Sequence, residues 1–182
     1  MLQITIPGEE LFDEEKQEFV TLKEQTLQLE HSLISLSKWE AKWCKVFLSK
    51  QEKTYEETID YIRCMTVTPN VNPDVYRRLT NANFREIEAY IAAPMTATYF
   101  SKESKAGGRS SSEQTTSELI YYWMVALNIP FECEKWHLNR LITLIRVCNI
   151  KNQPPKKMSK KDTARNYAAL NAARRKQLNS KG

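Results

Sequence analysis

Glycine is scarce in this chain of 182 residues, which contains four glycines and only two histidines. Few glycines leave few positions for the tight turns of phosphate-binding loops. Two histidines offer little for metal ligation or proton transfer. The sequence also has no paired acid–base residues, nucleophile motif or cofactor loop. We therefore expect a protein that is not an enzyme and that binds no cofactor.

The cysteines are widely separated and form no C-x-x-C pair. Structural zinc sites usually draw ligands from such pairs, because two ligands on one turn preform half of the tetrahedron. We therefore expect no metal site and predict buried free thiols, which behave as small hydrophobic side chains. The cysteines are Cys44, Cys64, Cys133 and Cys148.

Long apolar runs are absent as well, and the longest, residues 119–127, is far too short to span a bilayer. The sequence also starts without the basic and apolar regions of a signal peptide. We expect no membrane partner and a cytoplasmic location.

A capping-box pattern at Thr115–Glu118 precedes the apolar run of residues 119–127 and predicts the start of a helix. A helix that is apolar around its whole circumference is typical of a core or an interface.

The first 30 residues alternate apolar and polar side chains in the manner of β-strands. The pattern predicts strands over residues 2–6, 19–22 and 26–30, which together would form a small antiparallel sheet. A helix over residues 13–29 is the main alternative.

Residues 32–149 carry repeated signals for helices. Capping patterns predict helix starts at Ser37–Glu40, Thr54–Glu57, Asn72–Pro73 and Thr80–Asn83. A regular apolar stripe predicts a helix over residues 134–149. A short strand is expected over residues 95–100.

Reactive residue types cluster in residues 31–54, which hold His31, Cys44 and several serines. No nearby group would hold a catalytic base in place, so we interpret the stretch as packing and capping. His137 lies off the apolar stripe of its helix and is expected to be a solvated or capped histidine rather than a base.

Positive charge is concentrated at the C-terminal end. Residues 155–182 contain nine Lys or Arg and one acid, a net charge of +8, whereas residues 1–154 carry −3. We predict an α+β, mainly helical fold: a compact body over residues 1–154, with a mobile loop at 101–116, and a basic tail over 155–182. The tail is helix-prone, but its apolar stripe is too thin to bury much area, so we expect it to be partly disordered or helical, with a frayed helix or one that forms only on a partner. The predicted partner-binding residues are Lys156, Lys157, Lys160, Lys161, Arg165, Arg174, Arg175 and Lys176.

Two kinds of partner fit this pattern. The basic residues of the tail could release counterions from the phosphates of a nucleic acid, although Tyr167 is its only aromatic residue for stacking. Alternatively, a helix-prone charged tail beside a helical body is typical of a protein-interaction module.

Three segments carry a resemblance to a known family. Residues 27–66 (LQLEHSLISLSKWEAKWCKVFLSKQEKTYEETIDYIRCMT), 121–149 (YYWMVALNIPFECEKWHLNRLITLIRVCN) and 171–182 (NAARRKQLNSKG) resemble tail assembly chaperones of long-tailed bacteriophages that infect Gram-positive bacteria. The resemblance includes no catalytic motif and rests on the overall residue pattern of these segments.

The resemblance implies a partner and a place of action. Such chaperones coat the long hydrophobic tape-measure protein before the tail tube forms around it, and they are absent from the mature virion. We therefore expect the tape-measure protein as the partner, self-association or binding in many copies, and action in the host cytoplasm. The alternatives are a nucleic-acid-binding accessory protein of the phage, or another structural component of the tail or the head–tail joint.

Overall fold

The structure is a computed structural model of the chain and describes residues 1–13, 18–100, 114–153 and 160–178. Within these residues, four strands are followed by six α-helices, so the predicted α+β, mainly helical fold is confirmed. The strands are β1 (Leu2–Ile6), β2 (Glu9–Asp13), β3 (Glu18–Leu22) and β4 (Gln25–Leu29). The helices are α1 (Leu33–Trp43), α2 (Tyr55–Met65), α3 (Asn81–Ala92), α4 (Ser117–Ala126), α5 (Leu138–Asn152) and α6 (Lys160–Leu178). Turns of 3₁₀ helix lie at Pro73–Arg78 and Phe131–Lys135.

Contacts divide the chain into two units, Met1–Cys148 and Asn149–Gly182. The sequence-based division falls later, after residue 154. Helix α5 begins in the first unit and ends in the second, which also contains α6. Most of the loop predicted at residues 101–116, namely positions 101–113, lies outside the described residues.

The strands form antiparallel pairs, β1 with β4 and β2 with β3. The two pairs share one register, since Leu2 faces Leu29 in the first and Asp13 faces Glu18 in the second. We call these two antiparallel pairs, which follow one register, the β-ribbon. The sequence predicted three of these strands but missed β2, which lies within an acidic stretch.

Pairing along the β-ribbon is interrupted at Pro7 and Gly8, between β1 and β2. Proline has no N–H to donate to the ladder, which explains the break. The Pro7 carbonyl instead accepts a hydrogen bond of 3.2 Å from Arg78 Nη1. The alternative prediction of a helix over residues 13–29 is wrong.

The core lies between the β1–β4 half of the ribbon and the helices of the first unit. Alternate residues of β1 and β4 are buried, as the period-two pattern predicted, because one side of this half faces the core. The largest fully buried side chains are Trp39, Ile4, Ile6, Leu27, Leu29, Leu33, Leu36, Ile62, Met65, Ile120, Met124 and Leu138.

Local capping signals located two helix starts correctly. Thr54 and Glu57 form a reciprocal capping box on α2, and Thr80 and Asn83 form another on α3. The 3₁₀ helix at Pro73–Arg78 likewise begins after its predicted cap, Asn72.

Other predicted helix starts were wrong because several polar residues near each start can serve as the N-cap. Helix α1 begins after Ser32 rather than Ser37, and α4 begins after Thr116 rather than Thr115. The 3₁₀ turn over residues 131–135 delays the start of α5 to Leu138. Residues 95–100 form no strand.

The cysteines are free thiols, but their burial differs from the prediction. Cys133 is buried, Cys64 and Cys148 are half-buried, and Cys44 is exposed. Cys44 ends α1 in the left-handed conformation, with φ of 51°. Its amide donates to the Glu40 carbonyl at 2.8 Å, so its position follows from helix termination rather than from hydrophobic burial.

The sequence predicted that Glu40 caps α1 together with Ser37, and this is wrong. Glu40 instead joins α1 to the segment after it and to α4. It lies within α1 and is only 7% exposed. One side-chain oxygen accepts the Phe47 amide at 2.9 Å, and the other accepts the Ser117 amide at 2.7 Å. Glu40 therefore satisfies a donor in the first turn of α4, where a negative charge also favours the helix dipole.

Replacing Glu40 by alanine should destabilise the protein strongly. The change leaves two backbone amides without acceptors, and we expect the free energy of unfolding to fall by about 2–4 kcal/mol. Urea unfolding followed by circular dichroism measures the loss. Glu88→Ala on the exposed side of α3 is the matched control and should change stability by no more than about 0.5 kcal/mol. Equal effects of the two substitutions would contradict the bridging role of Glu40.

Candidate functional site

The cations predicted to contact a partner lie in α6 and before it. Lys156 and Lys157 are outside the described residues, and Lys160 and Lys161 are the first two residues of α6. The four others lie within α6 and have exposed side chains: Arg165, Arg174, Arg175 and Lys176.

These α6 cations occupy one part of the helix circumference. With about 100° per residue, positions 160, 161, 165, 175 and 176 fall within an arc of about 160°, and position 174 lies about 40° outside it, on the far side of position 167. Tyr167 and Leu170 lie outside this arc and are 64% and 52% exposed. Helix α6 thus presents a cationic half that suits an anionic partner.

Helix α4 carries an exposed apolar surface that the sequence did not locate. The helix is almost entirely apolar, yet the buried residues Ile120 and Met124 lie on one side only. On the other side, Tyr122 is 64% and Val125 60% exposed. Residues three apart on a helix are neighbours, so these two side chains form a continuous patch.

Tyr121, which lies one turn from Val125 on α4, connects this patch to the 3₁₀ turn after the helix. Phe131 is 55% exposed, and its ring centroid lies 6.4 Å from that of Tyr121. We call Tyr122, Val125, Ala126 and Phe131 the α4 face. Exposed aromatic residues grouped in this way are typical of protein-binding surfaces.

Acidic residues accompany the α4 face. Glu118 is exposed on α4, and Glu132 and Glu134 flank Cys133 in the 3₁₀ turn, which also contains Lys135. The Tyr121 hydroxyl donates to Glu134 Oε2 at 2.8 Å. Burial and this hydrogen bond raise the pKa of Tyr121, so the hydroxyl stays protonated and keeps donating.

Both histidines are buried together, so His137 is not solvated, which was one of the two environments that the sequence left open. Their ring centroids are 5.1 Å apart. They meet because the Leu138 amide donates to the His31 carbonyl at 2.7 Å, which joins the end of β4 to the start of α5. His31 Nδ1 and the Tyr61 hydroxyl form a hydrogen bond of 2.5 Å.

Burial keeps His137 neutral, and its hydrogen bonds set which ring nitrogen carries the proton. Its Nδ1 accepts the Asn139 amide at 3.3 Å, so its Nε2 carries the proton and donates to the Tyr90 carbonyl at 3.0 Å. Burial lowers the pKa of His137. Burial and the neighbouring His137 lower the pKa of His31 to about 4. Both rings are therefore neutral structural groups at pH 7, not bases open to a substrate.

A second polar feature is an open cleft of about 410 Å³ between α1, α2 and the segment after α2. Asp60 lines the cleft and is paired with Lys42 and with Arg63, at 3.6 Å, while Trp43 Nε1 donates to it at 3.0 Å. Burial raises the pKa of the Cys64 thiol, which also lines the cleft. Asp60 is thus already satisfied, and the thiol is not activated as a nucleophile.

No group of three or more potential metal ligands occurs among the residues that the structure describes. In that same part of the chain, no helix has both the length and the apolar character needed to cross a bilayer.

Comparisons with protein-family models, curated proteins and solved structures found no match to this chain. The surfaces described above must therefore be interpreted from their own chemistry.

Acid should weaken the fold by protonating His31. Its folded pKa of about 4 lies below the ordinary 6.5, so between these values the unfolded chain binds a proton that the folded chain does not. The contribution is complete above pH 6.5 and should fall by about 3 kcal/mol as the pH drops through the folded pKa, at roughly 1.4 kcal/mol per pKa unit. Urea unfolding at a series of pH values measures this loss.

His31→Asn is the comparison variant, because asparagine can still form a hydrogen bond with Tyr61 but does not titrate in this range. It should lose most of the additional acid sensitivity, while the lowered pKa of His137 and the carboxyl groups leave a smaller dependence. Identical pH profiles for the variant and the wild-type protein would rule out this role for His31.

Proposed function

We propose that the protein is a non-enzymatic tail assembly chaperone that binds the tape-measure protein during phage tail morphogenesis, in the host cytoplasm. The observation that carries this proposal is the exposed α4 face, taken with the resemblance of residues 27–66, 121–149 and 171–182 to that family. A tape-measure protein is long, mostly helical and prone to aggregate. Its chaperone must therefore cover apolar helix surface until the tail tube does so.

The α4 face fits an amphipathic helix as its partner. Tyr122 and Val125 lie one turn apart, and Phe131 extends the apolar surface beyond the end of α4. Helices are commonly recognised when their apolar residues, spaced three and four apart, pack against such a surface. The binding energy would come mainly from the two aromatic side chains, which bury the largest area.

The charges near the face add a preference for the partner. Glu118, Glu132 and Glu134 outnumber Lys135, so the surroundings of the face are acidic. We expect the bound segment to carry Lys or Arg beside its apolar stripe, because complementary charges steer association and suppress incorrect partners. Helix α4 is about 15 Å long, so many copies would be needed to cover a long partner.

Polar substitutions on the α4 face should abolish the chaperone effect without unfolding the protein. We expect Tyr122→Ser with Val125→Ser to remove most of the soluble complex when the chain is co-expressed with its tape-measure protein. Both side chains are mostly exposed, so the melting temperature should change by only about 1–3 °C. Soluble tape-measure protein is measured by quantitative blotting after centrifugation.

Tyr55→Ser with Val67→Ser is the matched control, because these residues are 63% and 52% exposed elsewhere on the surface. The control pair should leave the soluble yield unchanged. Equal yields from the wild-type protein and both double variants would contradict the role of the α4 face. A tape-measure protein that stays insoluble with the wild-type chain would contradict the chaperone function itself.

A second candidate function is nucleic-acid binding through α6, and the observation that favours it is the cationic half of that helix. Arg174→Glu, Arg175→Glu and Lys176→Glu together should then abolish binding to duplex DNA in fluorescence anisotropy. The logarithm of the wild-type affinity should fall with the logarithm of salt concentration, with a slope of about −0.9 per neutralised phosphate. An affinity for duplex DNA that does not change with salt concentration would count against this function.

A further inference from the structure

Helix α6 carries an apolar stripe beside its cations. Tyr167 and Leu170 are mostly exposed, and Leu178 is 76% exposed. At about 100° per residue these three positions lie within an arc of about 80°, so they share one side of the helix. We call these three residues the α6 stripe. We propose that the α6 stripe of one copy packs against the α4 face of a second copy of the chain.

The two surfaces match in length and shape. From position 167 to position 178, α6 rises about 17 Å. Helix α4 is about 15 Å long, and Phe131 extends the α4 face beyond the end of that helix. Tyr122 and Ala126 lie one turn apart on α4. A large side chain beside a small one leaves a space that a side chain of a packed helix can fill.

Unpaired acids accompany the α4 face. Glu118 is exposed one turn before Tyr122, and Glu132 is exposed and follows Phe131 in the chain. Neither acid forms an ion pair within the residues that the structure describes. A cationic helix is therefore attracted to this face, and an acidic helix is repelled from it.

Unpaired cations accompany the α6 stripe. Arg174 lies within the arc of the stripe, and Arg175 lies about 60° beyond Leu178. Both arginines are exposed and form no ion pair in the described part of the chain. The stripe thus has the composition that the α4 face requires, which is apolar side chains with cations beside them.

A second copy is the occupant that this match favours. The face and the stripe are different surfaces, so one contact leaves an unused stripe on one copy and an unused face on the other. Such a heterologous contact repeats into an open array or closes into a ring.

The contact between copies involves no tape-measure protein, but its consequence for the chaperone rests on the proposed function. If the α4 face binds a tape-measure helix, the stripe of a neighbouring copy covers the face until that helix displaces it. Self-association then protects the exposed apolar residues of the free protein.

Substitutions on either surface of the full-length protein test the contact. The face variant carries Tyr122→Ser and Val125→Ser. The stripe variant carries Tyr167→Gln and Leu170→Gln, because glutamine is a good helix former and keeps α6 intact. Sedimentation velocity of nuclease-treated protein over a concentration series, at about 0.1 M salt, gives the apparent dissociation constant. We expect the wild-type protein to self-associate and each variant to do so at least about tenfold more weakly.

Mixing the two variants distinguishes this contact from a general loss of association. The stripe variant keeps its α4 face and the face variant keeps its α6 stripe, so one contact can form and no further copy can add to it. The mixture should therefore sediment as a heterodimer, whereas each variant alone should sediment mainly as a monomer.

Two control variants match the substitutions in number and type. Tyr55→Ser with Val67→Ser changes exposed residues elsewhere in the first unit. Ala169→Gln with Ala172→Gln changes exposed residues on the side of α6 away from the stripe. Both controls should associate like the wild-type protein. Circular dichroism checks that every variant is folded.

Four results would overturn the inference. A wild-type protein that is monomeric at every concentration would exclude the contact between copies. Wild-type association that either variant leaves unchanged would place the contact elsewhere, and so would a mixture that forms no heterodimer. Association that disappears with nuclease treatment would assign α6 to nucleic acid.

The proposed function fails separately from this contact. A monomeric protein that still keeps the tape-measure protein soluble would overturn only the contact between copies. A self-associating protein that leaves the tape-measure protein insoluble would overturn only the chaperone function.

Discussion

The first unit depends on one buried acidic side chain. Glu40 lies on α1, but its two oxygens accept amides from the segment after α1 and from the first turn of α4. Both amides would otherwise be buried donors without partners, which are costly in a protein interior. This bridge fixes the N-terminal end of α4 against α1, with Ile120 and Met124 on the buried side of an almost wholly apolar helix. The α4 face is the opposite side, which stays exposed.

The sequence predicted what is encoded locally. The alternation in β1 and β4 and the capping boxes of α2 and α3 each depend on residues close together in the chain, and each prediction matched the described fold. Glu40 was misjudged because a plausible local partner, Ser37, lies three residues away, whereas its actual partner Ser117 lies 77 residues away.

The candidate surfaces were harder to predict because they too depend on contacts between residues far apart in the sequence. His31 and His137 are brought together by a backbone contact between distant segments, so neither position indicated the other. The apolar run of α4 has no polar stripe to mark its outer side, so its period could not distinguish Tyr122 from Met124. What identified these features was burial and hydrogen bonding, which belong to the folded chain.

The described residues thus separate two kinds of surface chemistry: an apolar face on α4 and a basic helix, α6. The β-ribbon is divided as well, in its local stability. Because the ladder is broken at Pro7 while its register is kept, the β2–β3 pair can separate without breaking the hydrogen bonds between β1 and β4. Arg78 holds that point through the Pro7 carbonyl. Strands β1 and β4 can then keep their hydrogen bonds and their place in the core, so the ribbon consists of two units of local unfolding rather than one.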